Sequence, residues 1–150
     1  MKLPRSVSGW TVAVFGAMAL LLGAVGLAQP DVLLVLLGFD TLPTGERAAG
    51  DYTRTFMAAS SMASFNMGVY YLLAAVTDWR PFFLFSVIFR LVTTVVFTVV
   101  VVAEVAPVRF VGVAAWEGLG AVVTGVALLT ERRRRVGVPS PGTGRSAGDG

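Results

Sequence analysis

"FLFSVIFRLVTTVVFTVVVV", Phe83 to Val102, decides the fold. It is apolar almost throughout, but it carries Arg90, followed by Thr93, Thr94 and Thr98. In water the β-branched run Val95 to Val102 would favour a strand. Length decides against that, because a buried strand runs about 4 to 8 residues and this pattern is far longer. Strands of a membrane barrel would alternate polar and apolar residues, and these do not. A helical span needs about 20 apolar residues. The spacing therefore predicts a span over Pro81 to Ala106, with Arg90 and Glu104 inside it.

Working outward, the same criterion predicts spans over 10–28, ended by Gln29-Pro30, over 56–76, and over 108–129, ended by Thr130-Glu131 and Arg132 to Arg135. The expected fold is all-α, a four-helix transmembrane bundle over residues 10–129. Residues 1–9 precede it, and a basic, then Gly/Pro/Ser-rich and disordered, tail over 130–150 follows. Pro81 and Pro107 suit helix starts, where a missing N–H costs nothing. Asp31 to Gly38 is apolar but too short to span. It reads as an interfacial helix or a partly re-entrant cap on the outer side, or as the first helix continued past a kink at Pro30. Met1 to Ala28 has one alternative, a cleaved signal peptide with Gly26 and Ala28 before the cut, but its apolar core is long for that role.

Composition agrees with a bilayer as solvent. Only 14% of residues are charged, against roughly 25% in soluble domains. The net charge of +3 does not indicate nucleic acid as a partner, because four of the 12 basic residues form one run beside an apolar segment. That run, Arg132, Arg133, Arg134 and Arg135, reads as an anchor to anionic headgroups, or as a regulatory lipid site. With Lys2 and Arg5 at the other flank, it places both termini in the cytoplasm of a multi-pass protein of the cell membrane. Trp10, Trp79, Tyr70 and Tyr71 then fall near the cytoplasmic interface. The chain contains no Cys and no His. Thiol chemistry, Cys or His metal sites, His-ligated haem and a Ser-His-Asp triad are excluded within it. There is no phosphate-binding glycine loop, and no cofactor is expected.

Arg90 lies on a polar stripe. At about 100° per residue, Ser86, Thr93, Thr94 and Glu104 fall within about 60° of it, and Val92, Val95 and Val99 lie on the far side. Charged residues in spans face the bundle interior or a wet cavity. Counting from the turns, Arg90, Asn66 and Glu117 fall within about 8 Å of one depth. Glu117 shares its face with Ala114, Gly120, Ala121 and Thr124, and small residues let helices approach. The expectation is a buried polar layer of Arg90, Glu117 and Asn66, supported by Thr93, Thr94 and Thr124. Its plainest role is an ion pair that fixes helix packing. Ligand binding or proton relay by the same layer, and snorkelling of Arg90 to the interface, are the alternatives. Gly9, Gly16 and Gly23, Ser60, Ser64 and Gly68, and Ala121 with Gly125 form small-residue faces. These suit packing within the chain or, alternatively, a homo-oligomer.

The layout resembles the small four-span bacterial membrane proteins grouped as BphX-like, relatives of the DoxX-like set. The suggestive pieces are "LAQPDVLLVLLGFD", "FNMGVYYLLAAVTDWRPFFLFSVIFR" and "AAWEGLGAVVTGVALL". The resemblance covers Trp10 to Leu129 and implies an integral membrane protein without an assigned activity. It supplies no catalytic residue. Taken together, these features predict a non-enzymatic accessory or scaffold protein that binds itself or a membrane partner. The alternative is a small carrier or binder of an anionic or aromatic compound, with Arg90 as its anchor.

Overall fold

The computed structural model describes residues 3–136. The last part of the expected tail, 137–150, and Lys2 lie outside the described residues. The described residues are all-helical, with five α-helices and two 3-10 turns. Helix α1 spans Val7–Ala28 and α2 spans Pro30–Leu37. Helix α3 spans Thr53–Thr77, α4 spans Arg80–Val102 and α5 spans Val111–Val136. The segments Val7–Ala28, Arg80–Val102 and Val108–Arg135 are long and apolar enough to cross a membrane. Helix α3 is as long, but Ser60, Ser61, Ser64, Asn66, Tyr70 and Tyr71 dilute its apolar character, and it falls outside that group.

Local signals explain where these helices begin and end. Helix α1 starts before Trp10 because the Ser6 hydroxyl accepts the Gly9 N–H at 3.0 Å, an N-cap. Gln29 leaves helical geometry and Pro30 opens α2 as a separate helix, so α2 is not a continuation of α1. Three helices finish with a left-handed residue, at Gly38, Asp78 and Glu104. In each case its own amide and the next one turn back to carbonyls of the last turn, the second as Phe39 N to Leu34 O, Trp79 N to Ala74 O and Val105 N to Val100 O, each at 3.0 Å. This cap moves the end of α4 from the expected Ala106 back to Val102. Glu104 therefore lies in the turn after α4, off the polar stripe. Pro107 precedes a 3-10 turn, Val108–Phe110, and α5 proper starts at Val111. At its other end α5 continues through Arg132, Arg133, Arg134 and Arg135, so the basic run is helical. The cation-rich last turn complements the helix dipole.

The long helices form two pairs, α1 with α3 and α4 with α5, joined through α1–α5 contacts. The α1–α3 pair is tight because glycine faces backbone. A Cβ on Gly23 would lie 2.6 Å from the Phe65 nitrogen, and one on Gly68 would lie 2.7 Å from the Leu20 nitrogen. Ser64 fastens the same seam by donating to the Ala19 carbonyl at 3.0 Å. Helix α2 buries Leu33 and Leu34 beside it and exposes Val32, Val35 and Leu36. On α5 the buried face is Ala114, Ala121, Thr124 and Ala127, and on α4 it is Phe83, Ser86 and Arg90. The opposite faces expose Val92, Val95 and Val99, and Leu119, Val122 and Val126. Exposed apolar area of this extent fits lipid rather than water.

The two ends of the molecule differ. At the end carrying the α3–α4 turn, Ser6 donates to Asp78 at 2.7 Å, and the Arg80 guanidinium lies 2.8 Å from Glu131. Glu131 also accepts the Ser8 N–H at 2.9 Å and the Ser8 hydroxyl at 3.0 Å. One polar clamp thus ties α1, the turn, α4 and α5. At the opposite end, Asp31 accepts from Arg47 at 3.1 Å and from Arg54, and Arg47 also holds Asp51 at 3.0 Å. These contacts fold the segment between α2 and α3 back against α2. Arg54 beside Asp31 holds the Asp31 carboxyl below its ordinary range, outweighing a smaller opposing effect of burial.

Candidate functional site

The central site is built around Arg90, near the midpoint of α4. It shares its helix face with Ser86, Thr93 and Thr94, opposite the exposed Val92, Val95 and Val99, so its side chain turns inward between the two helix pairs and is only 4% exposed. Its Nε lies 3.6 Å from Glu117 Oε2 on α5 and donates to the Tyr71 hydroxyl on α3 at 3.5 Å. The guanidinium carbon stands 3.6 Å from the centroid of the Phe15 ring on α1, a close cation–π contact. Phe15 in turn packs on Trp116, with ring centroids 4.6 Å apart. Gly120 makes room for this stack, since a Cβ there would come within 2.2 Å of both Arg90 Nη1 and Phe15 Cζ.

All four long helices thus meet at one guanidinium, yet its hydrogen-bonding capacity is barely used. Arginine carries five N–H donors. Among the described residues only Nε has a polar partner, and both of its contacts are long. Arg90 lines a cleft of about 370 Å³ between the helix pairs, with Nη1 packed toward Gly120. Tyr71, Phe89, Thr93, Phe97, Trp116 and Glu117 contribute to its lining, with Met18, Leu22, Ser64 and Met67.

Comparison of the chain with protein families, curated proteins and solved structures gives no match. What the site can do must therefore be read from its own geometry.

The structure brings Arg90 and Glu117 together, and leaves the third member of the expected layer outside. Asn66 is exposed on α3, because the seam with α1 turns the Ser61, Phe65 and Gly68 side of that helix inward. Thr93 lines the cleft, but its hydroxyl is spent on the Phe89 carbonyl at 2.9 Å. Thr94 likewise donates to the Arg90 carbonyl at 2.8 Å. Thr124 is buried further along α5 and pairs with Thr11 of α1 at 3.0 Å, so it ties α1 to α5 without touching Arg90. Tyr71, expected near an interface, is instead a direct partner of Arg90, and Phe15 is its cation–π platform. Both were missed by counting depth along α3 and α1 without fixing their rotation. The glycine spacing of α1 did not point to Phe15, which stands about 100° around the helix from Gly16.

Proposed function

We propose that this chain is a non-enzymatic, multi-pass membrane protein of four spans that binds a small anionic or aromatic compound in the cleft between its helix pairs, with Arg90 as the anchor. The observation that carries this is a buried guanidinium whose Nη donors have no protein acceptor among the described residues, on an arginine that lines a 370 Å³ cleft. A purely structural ion pair would instead be closed, since a buried charge needs its hydrogen bonds satisfied. In this reading α3 is the fourth span. Two of its polar residues are used inside the bundle, Ser64 at the α1 seam and Tyr71 at the cleft. Both termini are cytoplasmic, and Arg132 to Arg135 anchor α5 at the headgroups. The resemblance to the BphX-like set belongs to the same proposal.

A panel of aryl and medium-chain carboxylates, their sulfonates and their neutral alcohols tests binding to the purified protein by thermal unfolding in detergent. Some members should stabilise the wild type and lose that effect with Arg90→Gln. A panel in which no member shifts the midpoint refutes the binding role. A reporter fused at residue 150 should report from the cytoplasm, and an external signal overturns the topology. A second role, association with another copy or a membrane partner, is favoured by Asn66, an exposed amide on an otherwise apolar stretch of α3. Asn66→Leu should then weaken cross-linking of copies in the membrane.

A further inference from the structure

The cleft is partly enclosed. Its floor is Arg90, Glu117 and Tyr71, and its back wall is Phe15 and Trp116. Beyond the floor, Val12, Ala74, Ala75 and Phe83 form a tight core, and the Ser8–Arg80–Glu131 clamp seals that end. At the opposite end, Phe110 bridges Phe97 of the cleft, at 5.0 Å between centroids, to Phe39 after α2, at 6.0 Å. Gly38 packs over the Arg109 side chain beside them. Of these rings only Phe97 lines the cleft, and the others stand beyond it. One side of the cleft lies between α3 and α4, which touch little. Its lips are Met67 and Phe89, both exposed on the lipid-facing surface at 39% and 53%.

Charge then limits what passes through that gap. The ionisable groups facing the floor are Arg90 from α4, Glu117 from α5 and Tyr71 from α3, while α1 contributes none. With Arg90 and Glu117 both charged the site is neutral. A permanent anion would leave it with one net negative charge in a medium that solvates charge poorly. A carboxylic acid avoids this, because it dissolves in the bilayer as the neutral acid and carries its own proton.

We infer that the cleft takes a lipophilic carboxylic acid from the bilayer, through the α3–α4 gap, and that the acid gives its proton to Glu117 as its carboxylate pairs with Arg90. In that step the ligand O–H bond breaks and an O–H bond forms on Glu117. The ligand carboxylate accepts from the two Nη groups as a fork, the geometry in which arginine binds carboxylates best. Total charge in the site does not change. The aromatic walls and the 370 Å³ volume suit an aryl or medium-chain body. The inference rests on the binding role proposed above and adds the ligand's class, its route and its proton.

The test compares octanoate with octanesulfonate on the full chain in lipid nanodiscs, from pH 5 to pH 8. Octanoate should bind. Its Kd, expressed as total ligand, should rise about tenfold per pH unit above the acid's own pKa, as the neutral form is depleted. Octanesulfonate, with no proton to give, should bind at least tenfold more weakly. In Glu117→Gln the octanoate profile should flatten and the sulfonate should gain. A flat wild-type profile, or equal binding of the two ligands, overturns the inference and leaves the binding role standing. Failure of both ligands and of octanol to bind refutes the binding role itself. The chain has no cysteine, so Met67→Cys with Phe89→Cys can be bridged cleanly by a bismaleimide. Bridging should slow octanoate association at least tenfold, and an unchanged rate excludes the lateral route.

Discussion

Replacing Gly120 with alanine adds one methyl group at the most crowded point of the site. The new Cβ would stand 2.2 Å from Arg90 Nη1, 2.2 Å from Phe15 Cζ and 2.7 Å from Phe15 Cε1. Neither neighbour yields freely, since the guanidinium lies over the Phe15 ring and that ring rests on Trp116. Overpacking of this kind costs about 1–3 kcal/mol. Alanine returns about 1 kcal/mol of helix propensity, so the net loss should be about 0–2 kcal/mol. The same helix supplies its own controls. Gly112 has no heavy atom within 4 Å of an added Cβ, so Gly112→Ala should gain up to about 1 kcal/mol. Gly118 meets Thr94 Cγ2 at 3.2 Å and should come out near neutral. Unfolding by SDS in mixed micelles should therefore rank the variants Gly112→Ala, Gly118→Ala, Gly120→Ala from most to least stable, with about 1–3 kcal/mol between the extremes. A Gly120→Ala protein as stable as Gly112→Ala would mean that Arg90 and Phe15 do not occupy the space assigned to them.

Three further outcomes are expected. Arg90→Ala and Glu117→Ala should each cost about 2–3 kcal/mol, below the usual range for a broken buried pair because the 3.6 Å contact is long. The double variant should cost at least about 1 kcal/mol less than their sum, and strict additivity in a double-mutant cycle would refute the pairing. Asp31 has its carboxyl held low by Arg54, so the stability it contributes is fully present above the unfolded value of about 3.9 and is lost as pH falls through the lower folded value. Proteolysis of the 38–52 segment should thus stay slow down to pH 4 and accelerate below it, whereas Asp31→Asn should be cut readily even at pH 7. Ser8→Ala removes the hydroxyl bond to Glu131 at a fully buried position and should cost about 1–2 kcal/mol in the same SDS assay.

Much of α4 and α5 was legible before any coordinates. The 3.6-residue period put Ser86 with Arg90, and Ala114, Ala121 and Thr124 with Glu117; all but Glu117 are buried, together with Phe83 and Ala127, while Thr93 and Thr94 of the same stripe are half-buried. Arg90 and Glu117 meet because depth and rotation were both constrained for them. For Asn66 only depth was used. It stands about 160° around the helix from Gly68 and from Ser64, so the small-residue face already pointed it outward. Glu104 escaped for a different reason: a run of valines gives no sign of where a helix stops, and the stop is made by left-handed backbone at a residue that is not glycine. The clamp of Ser6, Ser8, Asp78, Arg80 and Glu131 was invisible because its members come from distant parts of the chain, and each alone reads as an ordinary surface or flanking residue. The cleft was likewise beyond reach, since a void is a property of how helices splay and no residue type marks it.

The bond between Ser8 and Glu131 joins residues 123 apart in sequence. At roughly 5–20 residues per second of synthesis, the amide and hydroxyl of Ser8 wait on the order of 6–25 s for their partner to be made. Arg80, already inserted, waits with them. Until the last helix arrives, the first turn of α1 and the start of α4 hold donors with no acceptor, and a chain cut short before Glu131 never supplies one. The Glu131 arm of the clamp can therefore close only once α5 has been made, whereas the Ser6–Asp78 arm can close before it.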